Sequence, residues 1–153
     1  MKLVPMSKSR YAAFKRNAIS GYARAKVEAG VWDELEAKAL AQRDHDALLP
    51  DGLKTSDHYL FELLVDGDIV GTLWVYTQSD SVTPGAYIYD IEIYAEYYRM
   101  GYGRQAMLAL EDWCAERHLR RIELNVFADN RPAIRLYEEL DYRATNFSMQ
   151  KNL

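Results

Sequence analysis

Cysteine is all but missing from this chain. Cys114 is the only one in 153 residues, so no internal disulfide can form. A lone thiol, behind an opening MKLVPMSKSRYAAFKR that carries charge but no apolar leader core, is the pattern expected of a cytosolic chain. Long hydrophobic runs are missing too: nothing approaches the roughly 18 apolar residues of a membrane span, so no membrane is expected as a partner. An excess of positive charge is also lacking. The 19 basic and 23 acidic residues leave a formal charge of -4, which gives no reason to expect nucleic acid. Three scattered histidines make no ligand cluster with the single cysteine, so no metal is expected. What is present, 49% hydrophobic and 27% charged residues, is the profile of a single soluble domain spanning residues 1–153. A chain of this length buries roughly 70% of the surface that its unfolded form exposes, and needs no covalent staple.

Charge is segregated along the chain. Every charged residue from Lys2 to Lys26 is basic, and acids dominate from Asp33 to Asp57. Such blocks are either two solvated helix faces or the borders of a site for a charged ligand. Behind a short apolar run at Leu3 and Val4, Ser7 suits an N-cap, and Tyr11, Phe14, Ala18, Tyr22 and Ala25 recur at helical spacing, with Gly30 as the stop. A second helix is predicted from Asp33, its cap, to Leu48 and Leu49 before the turn Pro50-Asp51-Gly52. Strands are predicted over Tyr59–Val65 and Ile69–Tyr76, joined at Asp66-Gly67, a hairpin signal. A polar loop, Thr77–Gly85, leads to a third strand over Ala86–Tyr94. There follow a helix over Gly101–His118, a strand over Arg121–Phe127, a short helix over Pro132–Leu140 and a last strand over Asn146–Lys151. Met107, Leu110 and Cys114 share a stripe of the longer helix, which makes Cys114 a core thiol. This order predicts an α/β (α+β) fold: a mixed, mostly antiparallel sheet with a parallel β-α-β crossover and helices on both faces.

The most informative stretch is Ala95-Glu96-Tyr97-Tyr98-Arg99-Met100-Gly101-Tyr102-Gly103-Arg104-Gln105-Ala106-Met107, between a strand and an amphipathic helix. Glycines at Gly101 and Gly103 let backbone come close to a ligand, and the free N–H groups of the helix's first turn suit a phosphate or pyrophosphate. Gly101, Gly103 and Ala106 also satisfy the G-x-G-x-x-A form of a dinucleotide fingerprint. That fingerprint expects its first glycine almost directly after the strand that begins the domain. Here Ala95 to Met100 intervene, a hairpin and two helices come first, and the chain is too short for a nicotinamide domain with a substrate domain. The dinucleotide reading fails.

A second pattern fits better. Strand Ile88–Ile93 with the glycine loop and its helix resembles motif A, Q/R-x-x-G-x-G/A, of the GNAT superfamily of acetyl-CoA-dependent N-acetyltransferases. Downstream, Val126-Phe127-Ala128-Asp129-Asn130-Arg131-Pro132-Ala133-Ile134-Arg135-Leu136-Tyr137-Glu138-Glu139-Leu140-Asp141-Tyr142 resembles motif B, V-x-x-x-N-x-x-A-i-x-L-Y-e-k-L-G-F. Met149-Gln150-Lys151 resembles the family's last strand. The resemblance covers residues 59–153, and residues 1–58 agree in layout. Two departures stand out: Tyr98 occupies the Q/R position, with Arg99 the nearest cation, and Asp141 replaces the glycine of L-G-F.

The resemblance implies an acyltransferase that moves acetyl from acetyl-CoA directly to a primary amine, of a small molecule or of a protein or peptide. A non-catalytic acyl-CoA-binding or interaction module on the same fold is the alternative. By the same resemblance, Arg99, Met100, Gly101, Tyr102, Gly103 and Arg104 hold the cofactor's phosphates, and the backbone of Ile91 and Ile93 pairs with its pantetheine. The Ile93 N–H polarises the acetyl oxygen, Asn130 lies near the cofactor, and Tyr137 protonates the leaving thiolate. A phenol at ~10 nearly balances an alkyl thiol in that exchange. For the base, period-two alternation puts Tyr87, Tyr89, Ile91 and Ile93 on one face and Ile88, Asp90, Glu92 and Tyr94 on the other. A β-bulge, common in this strand of the family, would swap that parity. On the next strand Ile122, Leu124 and Val126 oppose Glu123, Asn125 and Phe127. Aliphatic faces are expected under the later helices, and polar ones toward the first helices. Carboxylates on a central strand are paired with the basic first helix or are working groups. Glu92 is the candidate base, ahead of Asp90 and of water. An α-amine at ~7.7–8.0 is neutral far more often at pH 7 than a lysine amine at ~10.4, so a site without an assured base leans toward α-amines. Six of the twelve tyrosines fall between Tyr87 and Tyr102, from strand propensity, or to line an acceptor pocket or a homodimer surface. His45 and His58 are expected to be solvated.

Overall fold

Asp66 and Gly67 both take positive φ, 50° and 97°, as the two-residue turn of a tight hairpin requires. In the computed structural model, which describes every residue except Asn152, this turn joins β2 (His58–Val65) to β3 (Asp68–Gln78). With β1 (Lys2–Pro5), β4 (Gly85–Ile93) and β5 (Arg121–Leu124) they form one sheet in the order β1-β2-β3-β4-β5. Neighbours are antiparallel except β4 and β5, which run parallel through a crossover containing α3 (Tyr102–Ala115). The predicted mixed, mostly antiparallel sheet is what the chain builds.

Helices cover both faces. α1 (Lys8–Glu28) and α2 (Glu34–Leu48) pack on each other through Ile19 and through Ala23, Ala37 and Ala41, whose small side chains allow close approach. Lys15 Nζ meets an Asp46 carboxylate oxygen at 2.6 Å, so the basic and acidic blocks of the sequence complement each other here. Phe14 of α1 rests on Leu60 and Trp74 of the sheet. On the opposite face α3 drives Met107, Leu110 and Cys114 onto Leu63, Leu73, Val75 and Ile88. Burial pushes the Cys114 thiol up to about 11, so it is a core group and a poor nucleophile.

The predicted helix ends hold. Asp33 Oδ1 accepts from the Leu35 N–H at 2.9 Å. Gly30 is left-handed, with Val31 N–H bonded to the Lys26 carbonyl at 2.9 Å, a Schellman stop. Ser7 holds the N-cap place of α1 but sends its hydroxyl to Glu62 instead, at 2.9 Å. The last helix, α4 (Arg131–Glu139), ends with Asp141 at φ 65° and Tyr142 N–H on the Tyr137 carbonyl at 2.9 Å. The αL position of L-G-F thus survives on a residue with a Cβ.

Not every expectation holds. Asn146–Lys151 forms no strand: Phe147 and Met149 are exposed, and the segment is tied by Gln150 Nε2 donating to the Ala29 carbonyl at 3.0 Å. A strand joins a sheet through the free backbone groups of its edge and through an apolar face to cover, and β5 is only four residues long and alternates exposed and half-buried positions. His45 is not solvated either. It is buried against Phe14 and Trp74, and desolvation first, with Lys15 second, lowers its pKa.

Candidate active site

β5 accompanies β4 only as far as Ile88, which lies opposite Leu124. From Tyr89 to Ile93 the outer edge of β4 has no strand beside it among the described residues. On the inner edge, Tyr94 N–H donates to the Val70 carbonyl at 2.9 Å, and Glu92 and Asp90 face Thr72 and Trp74. Bonded pairs alternate with non-bonded ones in an antiparallel ladder. The intervening residues, Ile91 and Ile93, therefore turn their N–H and C=O groups outward to the open edge.

The register of β4 shifts between Trp74 and Val75, which face Asp90 and Ile88, so Tyr89 is an extra, bulged residue. The strict alternation expected from the sequence is thereby corrected. Ile88, Ile91 and Ile93 all lie toward α3, while Tyr87 lies opposite Tyr76 and Tyr89 stacks on Trp74 at 4.8 Å, on the α1 side. β5 keeps its expected parity, with Ile122 and Leu124 against the α3 core and Glu123 beside Tyr87.

Asp90, at the bulge, is raised to about 6, first by burial and then by the negative charge of Glu92. Tyr137 on α4 is raised as well, by burial and by the Asp90 charge, so that charge and the phenol act on one another. Glu92 shares a cross-strand row with Thr72 and Glu62 on the α1 side. Arg10 of the basic helix lies 3.6 Å from Glu62, and among the described residues neither Asp90 nor Glu92 forms an ion pair. Glu92 and Asp90 thus lie on one face of β4, two residues apart in a single register.

At the C-terminal end of β4, Gly101 takes φ 77° as the N-cap of α3, and nothing lies within 4 Å of where its Cβ would be. This is the position at which a side chain would fill the space in front of the helix N-terminus. At Gly103 a Cβ would meet Leu136 Cδ2 at 3.1 Å, so its bareness lets α3 and α4 pack. Arg99 is left-handed at φ 62°, and Tyr98 and Met100 are exposed. Tyr102 sits 6.1 Å from the Tyr97 ring, and Arg104 is ion-paired with Glu139. Asn130 caps α4, its Oδ1 accepting from the Ala133 N–H at 3.3 Å. An open strand edge and a glycine at the helix start thus lie toward the C-terminal end of β4, and the charge of Asp90 helps raise the pKa of Tyr137 on α4.

Residues 24–142 match the acetyltransferase (GNAT) family. The chain belongs to this family. It is 36% identical to the uncharacterized N-acetyltransferase YycN of Bacillus subtilis (strain 168), with 99% of this chain and 97% of the relative aligned. The crystal structure of YycN superposes with a TM-score of 0.95 at 35% identity, over 99% of this chain and 97% of that one. A second B. subtilis protein, the uncharacterized N-acetyltransferase YdgE, is 29% identical over the same shares. A ribosomal-protein-alanine N-acetyltransferase from Brucella melitensis, at 17% identity and a TM-score of 0.63, covers all of both chains and shares the fold. Among the described residues no helix is long and apolar enough to cross a membrane, and no three His, Cys, Asp or Glu side chains are grouped to hold a metal ion.

Proposed function

We propose that this protein is a cytosolic N-acetyltransferase that moves acetyl from acetyl-CoA to a primary amine by direct transfer. The observation that carries the reading is the outward-turned backbone of Ile91 and Ile93 beside the left-handed Gly101. The donor fits these residues: the strand edge offers the donors and acceptors that an extended amide chain needs, and Gly101 leaves a phosphate room at the helix start. When bound, acetyl-CoA supplies an activated thioester.

The chain's own groups then divide the work. The Ile93 N–H donates to the acetyl oxygen, where negative charge develops. Glu92 is the candidate proton acceptor for the amine, with Asp90, raised to about 6, as the alternative on the same face. Tyr137 keeps its proton, because burial raises its pKa, and delivers it to the departing sulfur. Arg99, Met100, Tyr102, Arg104 and Asn130 border the donor's path around the first turns of α3 and α4. Free-thiol release from acetyl-CoA with a panel of amines tests the reading. Thiol release that depends on an amine and yields the N-acetyl product is expected. No release with any amine, at saturating acetyl-CoA, refutes it.

A further inference from the structure

Tyr76, Tyr87 and Glu123 form one cross-strand row on the face of α1, because Tyr76 lies opposite Tyr87 and Tyr87 beside Glu123. The bulge adds Tyr89 to them. The Tyr87 and Tyr89 rings meet at 4.9 Å and 63°, and those of Tyr76 and Tyr89 at 6.5 Å and 60°, so three rings stand at angles as walls. Together with Gln78 and Glu123 they line a cavity of about 210 Å³. Among the described residues no basic side chain lines it. Glu123 has one ionic partner, Arg121 at 3.1 Å, and both side chains are about half-exposed. A pair so exposed holds by about 0–1 kcal/mol and leaves the carboxylate free to accept from another donor. Aromatic faces with a carboxylate and an amide oxygen recognise an ammonium group, through the ring quadrupole and charge-assisted hydrogen bonds.

We propose that this cavity holds a second, non-reacting ammonium of the acceptor, so that the preferred substrates are small aliphatic diamines or polyamines. The inference rests on the acetyl-transfer reading and gives its acceptor a class. The volume suits an alkylammonium; drug-sized ligands take roughly 300–1,000 Å³. Asp90 lies three residue steps beyond Tyr87, one of them through the bulge, so the held and the reacting nitrogen stand roughly 8–10 Å apart by strand rise.

The test compares kcat/KM for linear diamines of increasing length with monoamines of equal length. Wild type is expected to favour diamines that span the gap by at least about tenfold, a preference of about 1.4 kcal/mol. Shorter diamines lose the advantage. In Glu123→Gln and Tyr87→Leu the diamine-to-monoamine ratio falls toward one, and in Glu123→Lys it inverts. A bis-quaternary alkane diammonium, which cannot be acetylated, serves as the probe in calorimetry, and its binding is expected to weaken about tenfold in Glu123→Gln. Equal kcat/KM for diamines and monoamines in wild type overturns the proposal and leaves acetyl transfer standing. No thiol release with any amine overturns acetyl transfer instead. Probe binding that is unchanged in Glu123→Gln then overturns the cation site as well, and weakened binding upholds it.

Discussion

Ionising Asp90 costs more in the folded chain than in the unfolded one, because burial and the charge of Glu92 both oppose it. The penalty is absent at low pH and sets in as pH rises from the ordinary 3.8 through about 6. Asp90→Asn is therefore expected to raise the melting temperature near pH 8 and to leave it unchanged near pH 4 in thermal melts, since an amide stays neutral throughout. The same coupling separates two assignments of the base. If Asp90 accepts the proton, Glu92→Gln removes one cause of its raised pKa, and the acidic limb of kcat/KM moves to lower pH. If Glu92 is the base, the same variant loses activity, most of all at low pH. Opposite signs in one pH–rate profile make the choice. Tyr137→Phe removes a hydroxyl and little volume; kcat is expected to fall ~10²–10⁴-fold, and an acyl donor with a more acidic thiol to restore much of the loss. Equal losses with both donors would make Tyr137 a positioning residue. Tyr137 was legible from its motif. The bulge at Tyr89 was not, because one extra residue in a ladder leaves no mark in hydrophobic periodicity.

At the scale of elements, the glycine loop divides into two jobs that the sequence merges. Gly101 is required by its backbone: a Cβ at φ 77° costs roughly 1–2 kcal/mol and enters the space before α3. Gly101→Ala is expected to weaken acetyl-CoA binding in calorimetry. Gly103 is required by its neighbour Leu136, one residue from Tyr137. Gly103→Val is expected to displace α4 and lower kcat more than it lowers acetyl-CoA affinity, whereas a pure phosphate-loop role predicts the reverse. Helices α1 to α4 and the hairpin could be read from caps, apolar spacing and turn residues, since those signals are local. The last strand could not, because it depends on whether β5 offers an edge. His45 was misread for a related reason: its burial is decided by Trp74, a residue of the sheet.

For the whole molecule, one sheet separates two cores, with Leu63, Leu73 and Leu110 on the α3 side and Phe14, Leu60 and Trp74 on the other. Both draw on the same strands, so neither can melt alone. Far-UV and tryptophan-fluorescence melts are expected to coincide in wild type and in Leu110→Ala, a variant that loses about 2–5 kcal/mol from a fully buried site. Separate transitions would show two units.

The early end of β5 also has a consequence for the order of events. Beyond Ile88 the outer edge of β4 is open, the α3 helix start follows its C-terminal end, and the tyrosine cavity lies toward its N-terminal half. Donor and acceptor are therefore expected to approach from different ends of the strand. Two ligands that arrive in this way do not displace one another, and neither must leave before the other arrives. The sole cysteine lies sealed in the core and offers no stop along the way. Traffic of this kind is sequential. Initial-rate lines for donor and acceptor are expected to intersect rather than run parallel, each product backing out by the end at which its parent came in.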